Sequence, residues 1–194
     1  MATAPFPSPV APPTEPEHEP EGLYEVIDGQ VVEKPLMAAY EVDIAIYLVV
    51  ALENFARSNR LGKAHSEMLF LISRDRNLKR RPDVSFVSSA RWPLHLRAPR
   101  TPAWDVVPDL AVEVVSPSNT VEVVLGKLEE YFQAGVRLVW VVFPRHGKVY
   151  VYGSPTSVRI LQVGDDLDGG AALPGFRLSL AELFGEEGQP EAGG

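Results

Sequence analysis

Hydrophobic residues recur along this chain in two rhythms, and those rhythms place most of its elements. Over residues 40–57, Ile44, Leu48, Ala51, Leu52 and Phe55 return at three- and four-residue spacing, which predicts a long helix ended by Asn59 to Gly62. Residues 121–134 repeat the pattern, with Val124, Leu128, Tyr131 and Phe132 on one arc, Val123 at its side and Gly135 as the stop. Ser118 or Thr120 is the expected cap of this second helix, with Glu122 in its first turn. Short Val-rich runs predict strands near 65–72 and at 82–87, 110–115, 138–143 and 148–152. Before the first helix, 23–27 and 31–34 read as a hairpin turning through Asp28-Gly29. Residues 88–108 read as a loop, and the C-terminal part as short strands with a last helical turn at 179–184. Hairpin, helix, strands, helix, strands is the order of an α/β (α+β) sheet with helices packed on it.

Composition bounds this picture. Residues 1–20 are rich in Pro and Glu and are expected to form a disordered tail; 187–194 read as a second, flexible one, leaving 21–186 as a single domain. The net charge is −8, and the eight acids of 1–21 and 182–194, where no Lys or Arg occurs, account for all of it. Eight of the eighteen basic residues fall between Arg74 and Arg100, against only Asp75 and Asp83. This cluster has two readings, a face for a phosphate backbone or an ordinary solvated loop. Absent cysteines exclude disulfides, thiolate metal sites and cysteine nucleophiles. No apolar run reaches membrane-spanning length and no signal-type segment opens the chain, so the cytoplasm is the expected compartment and a membrane is not an expected partner.

Three acids and a lysine break the hydropathy rules. Asp83 stands at the head of a Val- and Phe-rich strand, and Glu113 in the middle of Leu-Ala-Val-Glu-Val-Val. A carboxylate in such surroundings is costly without a cation, a metal or hydrogen bonds. On the second helix Lys127 falls inside the apolar arc, between Val123 and Tyr131. It either snorkels along its own stem or meets acids at the sheet. On the first helix Glu41 lies on the centre line of the apolar stripe, in the first turn, where the helix dipole favours an acid. Oxygen ligands of this kind suit a hard divalent cation, magnesium above all with manganese as an alternative, and a nearby lysine orients water or stabilises developing charge. With the basic cluster, phosphodiester hydrolysis is the most economical chemistry.

At these residues the chain resembles a known family. Pro82-Asp83, Glu113 within Val-Glu-Val-Val-Ser-Pro-Ser, Gly126-Lys127-Leu128-Glu129-Glu130-Tyr131 and the Ala134-Gly135-Val136-Arg137 run into Leu-Val-Trp-Val-Val are similar to the Uma-type putative restriction endonuclease family of the PD-(D/E)XK nuclease superfamily. The opening Tyr24 to Gly29 and the closing Leu167-Asp168-Gly169-Gly170 with Leu173-Pro174-Gly175-Phe176 fit the same pattern, so the resemblance covers residues 23–184. It implies a restriction endonuclease-like mixed central sheet flanked by helices, a DNA substrate, and Asp83 and Glu113 as metal ligands. It also implies that the catalytic lysine has moved from the strand position held here by Val115 to Lys127 on the following helix. Glu41 corresponds to the acid of the superfamily's first helix. A homodimer is implied by superfamily members that cut both strands.

The chain departs from the family pattern at Val42, Asn119 and Phe143, where His, Asp and the Asp of Val-Asp-Pro are usual. The departures keep a second hypothesis open, a catalytically impaired nuclease-fold module that binds DNA or a protein. A third is a charge cluster with a structural role only. The histidines show no metal-ligand spacing, Ser116 and Ser118 have no His partner in any motif, and no phosphate-binding glycine loop occurs. Asp109 repeats the Pro-Asp look of Asp83 and is expected at the entrance of its strand. Trp92 and Trp104 are expected to pack the loop, with base stacking as the alternative.

Overall fold

A computed structural model describes residues 21–116 and 119–185; the two expected tails and Ser118 lie outside them. The N-terminal hairpin joins β1 (Tyr24–Ile27) to β2 (Gln30–Glu33). Asp28 and Gly29 both take positive φ, 50° and 81°, as a two-residue turn between twisted strands requires. Helix α1 (Ala39–Ser58) follows and is closed by the Asn59 side-chain amide on Phe55 O at 2.9 Å. Next come β3 (Gly62–Ser66), β4 (Phe70–Ser73), β5 (Leu78–Arg80), β6 (Val84–Ser88) and, beyond the long loop, β7 (Leu110–Val114). Helix α2 (Val121–Ala134) leads to β8 (Leu138–Phe143), a 3-10 turn (Pro144–His146), β9 (Lys148–Ser154) and β10 (Ser157–Gln162). Short strands β11 (Asp166–Asp168) and β12 (Arg177–Ser179) precede helix α3 (Leu180–Phe184).

The central sheet has six strands in the order β10-β9-β8-β7-β6-β3. Only β7 and β8 run parallel, and α2 makes the crossover that a parallel pair demands. The expected mixed sheet is therefore present. The two faces divide the apolar residues by the strand period of two. Leu110, Val112 and Val114 of β7, with Leu138, Trp140 and Val142 of β8, face the core built on Ile44, Leu48 and Leu52 of α1. Ala111, Val139 and Val141 face the opposite core, which contains Leu128 and Tyr131 of α2. Each fully buried leucine in these stripes contributes about 1.5–3 kcal/mol by leaving water.

A second sheet, β2-β1-β5-β4, is antiparallel throughout and was not foreseen. The run expected as one strand near 65–72 is two strands in different sheets. Between them Glu67 adopts φ 51° and its N–H bonds Asp83 O at 3.2 Å, which breaks the strand. Strand β5 is Leu-Lys-Arg, all three buried, so hydropathy gave no sign of it. Helix α2 begins and ends as expected: Thr120 Oγ1 accepts from Val123 N at 3.4 Å, and Gly135 turns at φ 96°. The Val136 N–H then reaches back to Tyr131 O at 2.9 Å, satisfying a terminal carbonyl.

Candidate active site

Strand alternation explains why Asp83 and Glu113 meet. Val84 and Phe86 point to the α1 side, so Asp83, Ser85 and Val87 point to the other. Glu113, between Val112 and Val114, also points away from α1. Lys127 and Tyr131 are four residues apart on α2 and lie on one face of it. The four side chains meet where the hairpin, the start of β6 and the end of β7 approach α2.

The contacts are short and buried. Lys127 Nζ lies 2.9 Å from Glu113 Oε2 and 3.2 Å from Glu25 Oε1. Tyr131 OH donates to Glu113 Oε1 at 2.6 Å. Asp83 Oδ1 accepts from Lys34 Nζ at 2.7 Å, and Oδ2 from the Val114 N–H at 2.5 Å. Lys34 Nζ is also 2.6 Å from Glu67 Oε2 and 3.0 Å from Arg81 O. Arg80 extends the network to Glu25 Oε2 at 2.7 Å and Glu130 Oε2 at 2.6 Å. Asp83, Glu113 and Lys127 keep only 3%, 9% and 8% of their surface exposed, so these charges are desolvated and depend on one another.

That dependence sets their acidity. Burial pushes the Glu113 carboxyl up, the Asp83 and Glu25 charges add to this, and Lys127 and Lys34 oppose it; the net direction is upward. Burial opposes the charged form of Lys127 as well, but Glu113 and Glu25 outweigh it and its pKa is raised. Lys127 is therefore an ammonium at neutral pH, a donor and a positive charge rather than a base. Lys34 is raised in the same way, with Asp83 the leading partner against burial. Glu25 is lowered, because Lys127 and Arg80 overcome its burial.

These groups form the floor of a cavity of about 340 Å³. Its walls are Ile27, Val32, Pro35 and Met37 on one side and Val115, Val123 and Val124 on the other. The lining carries five acids (Glu25, Glu33, Asp83, Glu113, Glu122) and three bases (Lys34, Arg80, Lys127), a formal excess of two negative charges. Each carboxylate offers about four lone-pair directions and uses two here on Asp83 and two on Glu113. The all-oxygen donor set, the spare acceptor capacity and the negative excess fit a hard divalent cation. Among the described residues no group of three metal-ligating side chains occurs, so the two carboxylates would need water or substrate oxygens to complete a shell.

The sequence-derived candidates are thus brought together for Asp83, Glu113 and Lys127 but not for Glu41. Glu41 is buried on α1, on the opposite face of the sheet from Glu113, and does not line the cavity. Among the described residues its carboxylate makes no hydrogen bond or ion pair. Its wheel position pointed correctly at the sheet, but at the wrong side of it.

Glu25, Lys34 and Tyr131 were missed. Tyr131 carried a signal, since a buried tyrosine hydroxyl requires a partner. Lys34 and Glu25 gave none beyond lying in a predicted hairpin. Much of the basic cluster near Asp83 is paired within the protein: besides Arg80, Arg81 bonds Tyr24 O at 3.0 Å, and the exposed Arg74 and Arg76 pair with Asp105 and Asp28 at the surface. Asp109 is fully buried and structural, accepting from Ser88 N at 2.8 Å and paired with Arg91 and Arg137. Trp104 packs the loop, stacked on Phe70 and edge-on to Trp92 and His65.

A model of the Uma2 family, described as "Putative restriction endonuclease", matches residues 13–181. The chain belongs to the Uma2 family. A crystal structure described as a putative nuclease belonging to DUF820 from Anabaena variabilis, at 1.96 Å resolution, superposes with a TM-score of 0.74 at 20% identity. The match covers 86% of this chain and 92% of that one, so the restriction endonuclease-like fold is shared over most of both chains. Among curated proteins nothing matches. The three departures from the usual Uma2 pattern are accommodated structurally. Asn119 Oδ1 accepts from Ser116 N at 2.8 Å and from Ser116 Oγ at 3.0 Å, contacts that an aspartate oxygen would also make. Phe143 packs on Tyr150 with ring centroids 4.8 Å apart, and Val42 is exposed on the outer side of α1.

Proposed function

We propose that this Uma2-family nuclease fold is a cytoplasmic, magnesium-dependent DNA endonuclease, with manganese able to replace magnesium. The observation that carries the reading is the convergence of Asp83 and Glu113, from two different strands, on one cavity floor beside a protonated lysine. Asp83 and Glu113 would hold the cation, which supplies an acidified water and charge neutralisation at a phosphate. Lys34 and the Val114 N–H fix the Asp83 carboxylate. Tyr131 and Lys127 fix that of Glu113 by one hydrogen bond to each oxygen. Lys127 spends one N–H donor on Glu113 and lies within ion-pair distance of Glu25, and a remaining donor serves water or a phosphate oxygen as negative charge develops.

The working unit in this reading is residues 21–186. Scission of both DNA strands would follow from pairing two such units in a homodimer. The test is plasmid cleavage with magnesium or manganese. Nicked or linear product is expected from the wild-type protein and none from Asp83→Ala with intact circular dichroism; full activity in that variant would overturn the assignment.

One observation favours a second reading. All four oxygens of the Asp83 and Glu113 carboxylates already have a protein partner, so the cluster is satisfied without a cation. A nuclease-fold module that binds DNA or protein without cutting would be built this way. It requires that neither cation binds the site, even with DNA present.

A further inference from the structure

Away from the cavity, the end of α1, the start of β3 and the loop after β6 enclose a second concavity of about 330 Å³. Arg57, Arg60, Lys63 and Arg97 line it with His95, against a single acid, Glu53. With His95 neutral the formal charge of the cleft is +3. The protein as a whole carries −8, so this concentration of positive charge runs against its background.

The acid does not neutralise the cleft; it is spent on building it. Glu53 Oε1 takes Arg57 at 3.0 Å, and Oε2 accepts from the Ala64 N–H at 2.9 Å, tying α1 to β3. Lys63 Nζ donates to Leu96 O at 2.6 Å, which holds the loop against β3. Gly62 lets β3 start close to its neighbour, for a Cβ there would lie 2.2 Å from Val87 O. The side chains of Arg60, His95 and Arg97 are exposed and make no hydrogen bond or ion pair among the described residues. Arg80, which lines the first cavity, is in contrast paired with Glu25 and Glu130.

We infer that this cleft binds the phosphodiester backbone of a nucleic acid, at a point separate from the cavity. Free guanidinium groups from two segments, spread over an open surface, suit an extended polyanion better than one enclosed phosphate. Ser88, which pairs with Gly62 at the cleft, is five residues along β6 from Asp83, a span of about 17 Å at the usual rise of a strand. At about 3.4 Å per base step, that is on the order of five steps of one strand. The choice of nucleic acid among polyanions rests on the nuclease reading above, but binding at the cleft does not require cleavage.

The test is fluorescence anisotropy of a labelled DNA duplex with the full chain in EDTA, where no metal-dependent cutting occurs, at several salt concentrations. Arg60→Glu combined with Arg97→Glu is expected to weaken binding at least about tenfold at low salt and to flatten the dependence of log K on log salt by about one to two. Both positions are exposed, and an unchanged melting temperature confirms the fold. Affinity and slope equal to wild type would overturn the inference, as would binding of heparin with none of DNA. Loss of plasmid cleavage in Asp83→Ala tests the nuclease reading alone. A protein that never cuts but loses DNA affinity with the two arginines would refute that reading and leave the cleft assigned.

Discussion

The Lys127 ammonium is 2.9 Å from Glu113 and 3.2 Å from Glu25, so one helix residue ties the central sheet to the N-terminal hairpin. Removing it leaves two buried acids facing each other. Lys127→Met is expected to cost about 3–5 kcal/mol, the range for breaking a buried ion pair. Adding Glu113→Gln should recover part of that loss, because the unpaired charge is gone. Urea denaturation of the two single variants and the double variant measures this coupling. A Lys127→Met variant as stable as wild type would mean that the lysine is not holding the acids.

Lys34 occupies Asp83 with positive charge from the hairpin side. Lys34→Met is expected to lower the melting temperature in EDTA, since Asp83 and Glu67 lose their shared partner. The same change should tighten manganese binding, because the cavity becomes more negative. A calorimetric titration of both proteins checks the sign; weaker binding in the variant would show that Lys34 supports the cation rather than competing with it.

The two Pro-Asp pairs stand in different surroundings. Asp109 sits among Ser88 N, Arg91 and Arg137 and has no contact with the cavity. Asp109→Ala is expected to destabilise the protein by about 3 kcal/mol or more, leaving buried donors and Arg91 without their acceptor. Metal binding by the folded fraction should be unaffected. A loss of metal affinity with stability retained would reverse the assignment of the two aspartates.

Much of this arrangement was legible in the residues. Helix α2 announced its limits through Thr120 and Gly135, and the hairpin through Asp28-Gly29, because caps and turns depend on local chemistry. Asp83, Glu113 and Lys127 were visible as charges on apolar faces. Glu41 met the same criterion and does not line the cavity, since a helical wheel shows which way a helix faces the sheet but not which side of the sheet it covers. Strand β5 and Lys34 were silent for a related reason: their charged residues are buried through tertiary pairing, and hydropathy registers only transfer from water.

Acid should weaken the fold through His65. Burial lowers its pKa below the ordinary 6.5, with the Glu53 charge opposing and Lys63 reinforcing the shift. The unfolded chain therefore takes up a proton before the folded one does. The stability tied to neutral His65 is complete above about pH 6.5 and is lost as pH falls toward the lowered value. His65→Phe keeps an aromatic ring against Trp104 and removes the titration. Its melting temperature should fall less than that of wild type between about pH 7 and 5. Parallel curves would place the acid sensitivity elsewhere.

The shared cation is the most exposed claim, and manganese titration followed by calorimetry reaches it directly. Wild-type protein is expected to bind manganese at one site, with or without DNA, and Asp83→Asn and Glu113→Gln are each expected to lose that site while staying folded. Binding unchanged in both variants, or no binding by the wild-type protein even with DNA present, would contradict a metal centre on Asp83 and Glu113.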